Sequence, residues 1–263
     1  EYKFSCAIGY SGIDGRQEVS MISYLVCATH RSGSNLLCQS LWHTELCGFP
    51  QEFFSPTRAP KIAEEYSLDA DAESDYPGYV AELVSKRASS NGVFGAKIMW
   101  SHLEPFLIRL RKDCETDADL LASIFPNIRY LWIRRDDKLR QAISMWKAKQ
   151  TKVYNSLQAE GVTHPAGDPV YDFGEIEKIK RRFEDEDAAW GNFFSENSIV
   201  PMQIHYEDFA DNHEERTLEI LSELAIDVGE GFSVKPLTYR PLADSTNEQW
   251  RERYLREEGQ GEG

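Results

Sequence analysis

The chain has 263 residues, with 44 acidic against 29 basic side chains, a formal charge of −15 and an isoelectric point near 4.9. Hydrophobic residues at 41% and aromatic residues at 12% suit one large folded domain. No apolar run approaches the roughly 18 residues of a membrane span, and the acidic balance argues against a broad nucleic-acid interface.

In chain order, residues 1–20 read as an extension ahead of Met21, residues 21–256 as the domain, and residues 257–263 as a flexible tail. Short apolar runs at 24–28, 93–98, 128–133 and 200–206 have the character of buried parallel strands. Helical spacing separates them. A helix from Ser34 to about Leu46 turns Leu37, Leu41 and Trp42 to one side, and another from Asp137 to about Thr151 turns Leu139, Ala142, Ile143 and Trp146 inward. A third, from Phe173 to about Asn197, spaces Ile176, Ile179, Phe183, Trp190, Phe193 and Phe194 for a core face. The stretches 66–79 and 155–171 are rich in turn residues and read as surface excursions able to form a lid. The alternation predicts an α/β fold, a P-loop-like central parallel β-sheet flanked by helices. Five cysteines, Cys6, Cys27, Cys38, Cys47 and Cys114, form an odd set without CxxC spacing. With no secretory leader pattern, they point to a reduced, cytoplasmic compartment.

The first strand runs into Thr29-His30-Arg31-Ser32-Gly33-Ser34-Asn35 and then directly into a helix. Such a turn aims backbone N–H groups and a helix N-terminus at one spot, where a phosphate-like anion is stabilised. The Gly-Lys-Ser/Thr of a Walker sequence is missing, and Arg31 offers a permanently charged fork instead. The same strand–turn–helix also serves as plain scaffold in α/β proteins. A second candidate anion site follows the third strand, where Arg134-Arg135 precede Ser144 by about two helical turns. Surface pairing with Asp136 and Asp137 is the alternative there.

Together these landmarks resemble sulfotransferases that use 3′-phosphoadenosine-5′-phosphosulfate (PAPS), and most closely the bacterial trehalose 2-sulfotransferase family. The matching runs are Arg31-Ser32-Gly33-Ser34, Pro50-Gln51-Glu52-Phe53-Phe54, Gly95-Ala96-Lys97-Ile98-Met99-Trp100, Arg135 with Gln141-Ala142-Ile143-Ser144-Met145-Trp146, and Asn247 to Tyr254. The resemblance implies that Arg31, Ser32, Gly33, Ser34 and Asn35 bind the 5′-phosphosulfate and that Arg135 with Ser144 binds the 3′-phosphate. It also implies that Glu52 is the general base, with Arg31 stabilising charge on the sulfuryl group. Many animal sulfotransferases place a histidine base in a Lys-x-His sequence, and here Lys97-Ile98-Met99 carries methionine at that place. Flanking Phe53 and Phe54 are expected to desolvate Glu52 and raise its pKa. Gln51, Phe53, Lys97 and Trp100 are candidate acceptor contacts.

A sulfuryl group carries less negative charge than a phosphoryl group, so no metal is expected. His43, His102, His164, His205 and His213 show no metal-ligand spacing, and His30 has no assigned role. The acceptor implied is a carbohydrate hydroxyl, with homodimerisation a family-level expectation. Two other classes stay open: a P-loop kinase-like transferase, which prefers magnesium ATP, and a non-catalytic nucleotide- or sugar-binding protein.

Overall fold

The four apolar runs become four parallel strands in the computed structural model, which describes residues 21–71, 73–110, 114–154, 168–238 and 243–261. They are β1 (Ile22–Ala28), β2 (Val93–Met99), β3 (Arg129–Arg134) and β4 (Met202–His205), in the order β2-β1-β3-β4. Register places Val26 against Lys97, Ala28 against both Met99 and Ile133, and Ile133 against Ile204. Side chains of a strand alternate between faces, and β1 shows the consequence. Leu25 and Cys27 enter a core with Phe94, Ile98, Trp132 and Trp190, whereas Tyr24, Val26 and Ala28 enter another with Leu37, Leu41, Leu131 and Ile204.

Helices cover both faces. On the first lie α2 (Ala59–Glu65), α3 (Tyr76–Arg87), α4 (Trp100–Leu110) and α5 (Asp117–Ile124); on the second lie α1 (Ser34–His43) and α9 (His213–Glu223), reached through the short α8 (Tyr206–Asp211). The long α7 (Phe173–Glu196) serves two cores. Its C-terminal half supplies Trp190, Phe193 and Phe194 to the sheet, and Ile176, Ile179 and Phe183 pack with α6 (Lys138–Thr151) and α10 (Ser245–Gly261). Asp137 and Asp172 start α6 and α7 by accepting from the N–H of Arg140 at 2.8 Å and of Glu175 at 2.9 Å, the usual remedy for unpaired first-turn donors. The Trp190 indole donates to the Ala28 carbonyl at 3.1 Å, fastening α7 to the last residue of β1.

Several expectations change. Helix α1 ends at His43 rather than near Leu46, and Trp42 is 47% exposed. The stripe buried against the sheet is Leu37, Cys38 and Leu41, and Trp42 falls beside it, edge-on to Phe49. The 66–79 stretch is no free lid: Tyr76 and Tyr79 are buried, and the Tyr79 hydroxyl donates to the Phe53 carbonyl at 2.9 Å. The tail expected from residue 257 continues α10 as far as Gly261, because Glu257 accepts from Tyr171 and Glu258 pairs with Lys180. Segment 1–20 and most of the 155–171 loop lie outside the described residues, as does Cys6. Among the described residues no helix is long and apolar enough to cross a membrane.

All four strands point the same way, so the loop after β1, the start of α4, Arg135 and Tyr206 meet along one sheet edge. In open α/β sheets this carboxyl edge is where ligands bind.

Candidate active site

The β1–α1 loop is held in a conformation it would not adopt alone. Arg31 has φ 66° and Gly33 φ 89°, both left-handed, a region that costs a non-glycine residue free energy. Helix α6 holds the loop in place. The buried Gln141 amide donates to the Thr29 hydroxyl at 2.9 Å and to the His30 carbonyl at 2.7 Å. Arg31 Nε donates to Ser144 Oγ at 3.0 Å, and its Nη1 donates to the Tyr154 carbonyl. At Gly33 a Cβ would lie 2.1 Å from Cδ2 of the Tyr206 ring. Gly33→Ala is therefore expected to displace the ring or the loop, costing about 1–3 kcal/mol of stability together with anion affinity. Thermal melts with and without adenosine 3′,5′-bisphosphate check it, and an unchanged ligand shift would count against the cradle.

Beyond Gly33 the Leu36 and Leu37 amides donate to the Gly33 carbonyl at 2.9 and 3.2 Å, while Ser34 and Asn35, whose amides precede any helical acceptor, face a cavity of about 990 Å³. Arg31, Arg135 and Ser144 line the same cavity. The two predicted anion sites therefore converge. Arg135 Nη1 reaches the Arg31 carbonyl at 3.5 Å, its guanidinium lies over the Tyr206 ring at 4.8 Å, and its buried Nε finds no acceptor among the described residues. Burial, and then the neighbouring Arg135, lowers the Arg31 pKa to about 10; burial also lowers that of Arg135. Two half-buried cations side by side are destabilised unless an anion joins them. Ser32 departs from expectation. Its hydroxyl is buried without a partner among the described residues, its amide is directed at the Thr29 carbonyl at 3.4 Å, and Ser32 does not line the cavity.

Glu52 lines the same cavity. The Lys97 N–H on β2 donates to the Gln51 carbonyl at 2.8 Å, which ties the Gln51-Glu52 segment to the sheet. The Lys97 ammonium, almost wholly buried, bonds Glu52 Oε1 at 2.9 Å and Asn35 Oδ1 at 2.5 Å. This overturns the expected pKa shift. Burial does push the Glu52 carboxyl up, but the charge and hydrogen bond of Lys97, with His30 and His102, outweigh it and hold the group below its usual 4.5. Phe53 and Phe54 do not desolvate the site. They point into the core, where Phe54 stacks on Phe106 at 4.3 Å, and they anchor the Glu52 backbone.

Three of the four candidate acceptor contacts lie elsewhere. Phe53 is buried in the core, Gln51 donates to the Tyr66 hydroxyl at 3.3 Å, and Trp100 packs on Trp190 beside a separate groove. Only Lys97 faces the cavity. His30 and His102, their rings 5.9 Å apart, also line it, and burial leads the causes that lower both pKa values, that of His30 to about 4. Tyr206, Ser55 and Arg58 are further lining residues to which sequence reasoning assigned nothing. Tyr206 had a signal, because it stands at the end of the fourth predicted strand.

A family model described as Stf0 sulphotransferase matches residues 23–257. The chain belongs to this sulfotransferase family. It is 29% identical over 262 residues to the trehalose 2-sulfotransferase of Mycolicibacterium smegmatis, covering 89% of this chain and 95% of that protein. It is 30% identical over 260 residues to the trehalose 2-sulfotransferase of Mycobacterium tuberculosis, covering 89% and 94%. Among solved structures, the sulfotransferase domain from the curacin biosynthetic pathway aligns with TM-score 0.48 at 16% identity, over 80% of this chain and 75% of that one. The sulfotransferase domain from the Synechococcus PCC 7002 olefin synthase aligns with TM-score 0.45 at 14% identity, over 87% and 82%.

Proposed function

We propose that the protein transfers the sulfuryl group of PAPS to a hydroxyl of a carbohydrate acceptor, trehalose or a related sugar. The observation that carries this reading is the pair of half-buried arginines, Arg31 and Arg135, with Glu52 lining the same cavity. Arg31 has no acidic partner among the described ion pairs, and Arg135 has only Glu207, at 4.0 Å. Such a donor set fits a ligand with two separated anionic groups. The names of the two mycobacterial relatives support trehalose as acceptor.

In this reading Arg135 and Ser144 hold the 3′-phosphate, and Arg31 with the Ser34 and Asn35 amides holds the phosphosulfate. These donors are fixed before the reaction, so they stabilise charge on the sulfuryl oxygens without reorganising. The acceptor oxygen attacks sulfur as the bond from sulfur to the nucleotide oxygen breaks, and Glu52 takes the hydroxyl proton. Adenosine 3′,5′-bisphosphate leaves. Lys97 keeps Glu52 ionised and ready to accept a proton, while lowering its basicity.

The test compares thermal stabilisation by adenosine 3′,5′-bisphosphate, adenosine 5′-monophosphate and magnesium ATP, followed by mass spectrometry of trehalose incubated with PAPS. The bisphosphate is expected to stabilise most and the sugar to gain one sulfate. Stronger stabilisation by magnesium ATP, with no sulfated product, would replace this reading with a kinase.

A further inference from the structure

We infer that the acceptor carries an anionic group, phosphate or carboxylate, remote from the sulfated hydroxyl, and that Arg58 holds it. The inference rests on the proposed function for which end of the cavity receives the acceptor. Glu52, Ser55 and Arg58 follow one another in successive turns. The Ser55 N–H donates to the Glu52 carbonyl at 3.4 Å, and the Arg58 N–H to the Ser55 carbonyl at 2.9 Å. All three side chains line the cavity.

The charges point the same way. Of the cationic side chains around the cavity, Lys97 pairs with Glu52 and Arg140 with Glu248, and Arg135, with Glu207 only at 4.0 Å, is taken by the donor in the proposed reading. Arg31 and Arg58 have no acidic partner among the described ion pairs. Arg31 belongs to the donor end, which leaves Arg58. In a chain with 44 acidic residues against 29 basic ones, an arginine facing a ligand cavity without an acid beside it is set to receive an anion from outside. It is also well mounted. Arg58 is the cap residue of α2, followed within the first turn by Pro60, so the exposed guanidinium extends from a fixed backbone. Ser55, whose hydroxyl lies 3.3 Å from that of Thr57, offers a hydrogen bond midway. The cavity, about 990 Å³, stands near the top of the roughly 300–1,000 Å³ range of small-molecule sites, in keeping with two ligands.

The experiment measures kcat/KM for sulfate transfer from PAPS to trehalose, trehalose 6-phosphate and a uronic-acid-containing disaccharide. Calorimetry on the protein saturated with adenosine 3′,5′-bisphosphate runs in parallel. At least one charged acceptor is expected to exceed trehalose by about tenfold or more, and which one does so tells phosphate from carboxylate. In Arg58→Gln the ratio of charged to neutral acceptor should fall toward one, and Arg58→Lys should keep part of it. Equal use of all three acceptors, or a preference that survives Arg58→Gln, would overturn the inference and leave the proposed function standing. Failure of the bisphosphate to bind, with no acceptor sulfated, would remove both.

Discussion

Glu52→Gln is expected to lower kcat by about 10²–10⁴-fold while adenosine 3′,5′-bisphosphate binds nearly as well as to the wild type. The carboxamide keeps the shape of the side chain and an oxygen for Lys97, but it accepts no proton from an attacking hydroxyl. Single-turnover transfer and calorimetry separate the two effects. Turnover near wild type would remove Glu52 as the base. The pH profile adds a second check whose sign follows from the Lys97 pair. A carboxyl held below 4.5 is ionised throughout the neutral range, so kcat/KM should stay flat there and be lost only as pH falls through the lowered pKa. A base tuned upward by burial would lose activity near neutrality instead.

Arg135→Ala should weaken adenosine 3′,5′-bisphosphate by about 10–100-fold and adenosine 5′-monophosphate far less. The reason lies in the buried Nε, which has no acceptor among the described residues, and in Glu207 at 4.0 Å, too distant for a firm hydrogen bond. Arg135→Lys should recover part of the loss, since a point charge remains but the fork does not. Equal losses for both nucleotides, measured by calorimetry, would mean that Arg135 shapes the loop rather than reading the extra phosphate.

Much of the architecture was legible because its signals are local. The run from Tyr24 to Leu37 carries strand, turn and helix in uninterrupted order, and the apolar runs at 93–98 and 128–133 correspond closely to β2 and β3. The positions of Arg31 and Arg135 were also readable, because strand ends deliver them to one edge whatever the details of packing, and Ser144 follows within α6. What depended on pairing between distant segments was not. Phe53 and Phe54 are neighbours of Glu52 in sequence and were expected to be its neighbours in space, yet both turn inward. The group that does set the state of Glu52 is Lys97, brought there by β2. Trp100 looked like a ligand contact because it follows a strand, but it opens α4 and packs on Trp190. Arg58 and His102 gain significance only from the walls that face them.

In the proposed reading, the contact between Arg135 and the Arg31 carbonyl, with Arg31 in turn on Ser144, makes the two anion pockets adjoining jaws of one clamp. Within the proposed reading, a ligand charged at both ends behaves as a chelate. Once one jaw closes, the other meets its phosphate at an effective concentration set by the nucleoside between them rather than by bulk solution. Mononucleotides with a single charged end engage one jaw and forgo that advantage, so the clamp can reject them even when they are abundant.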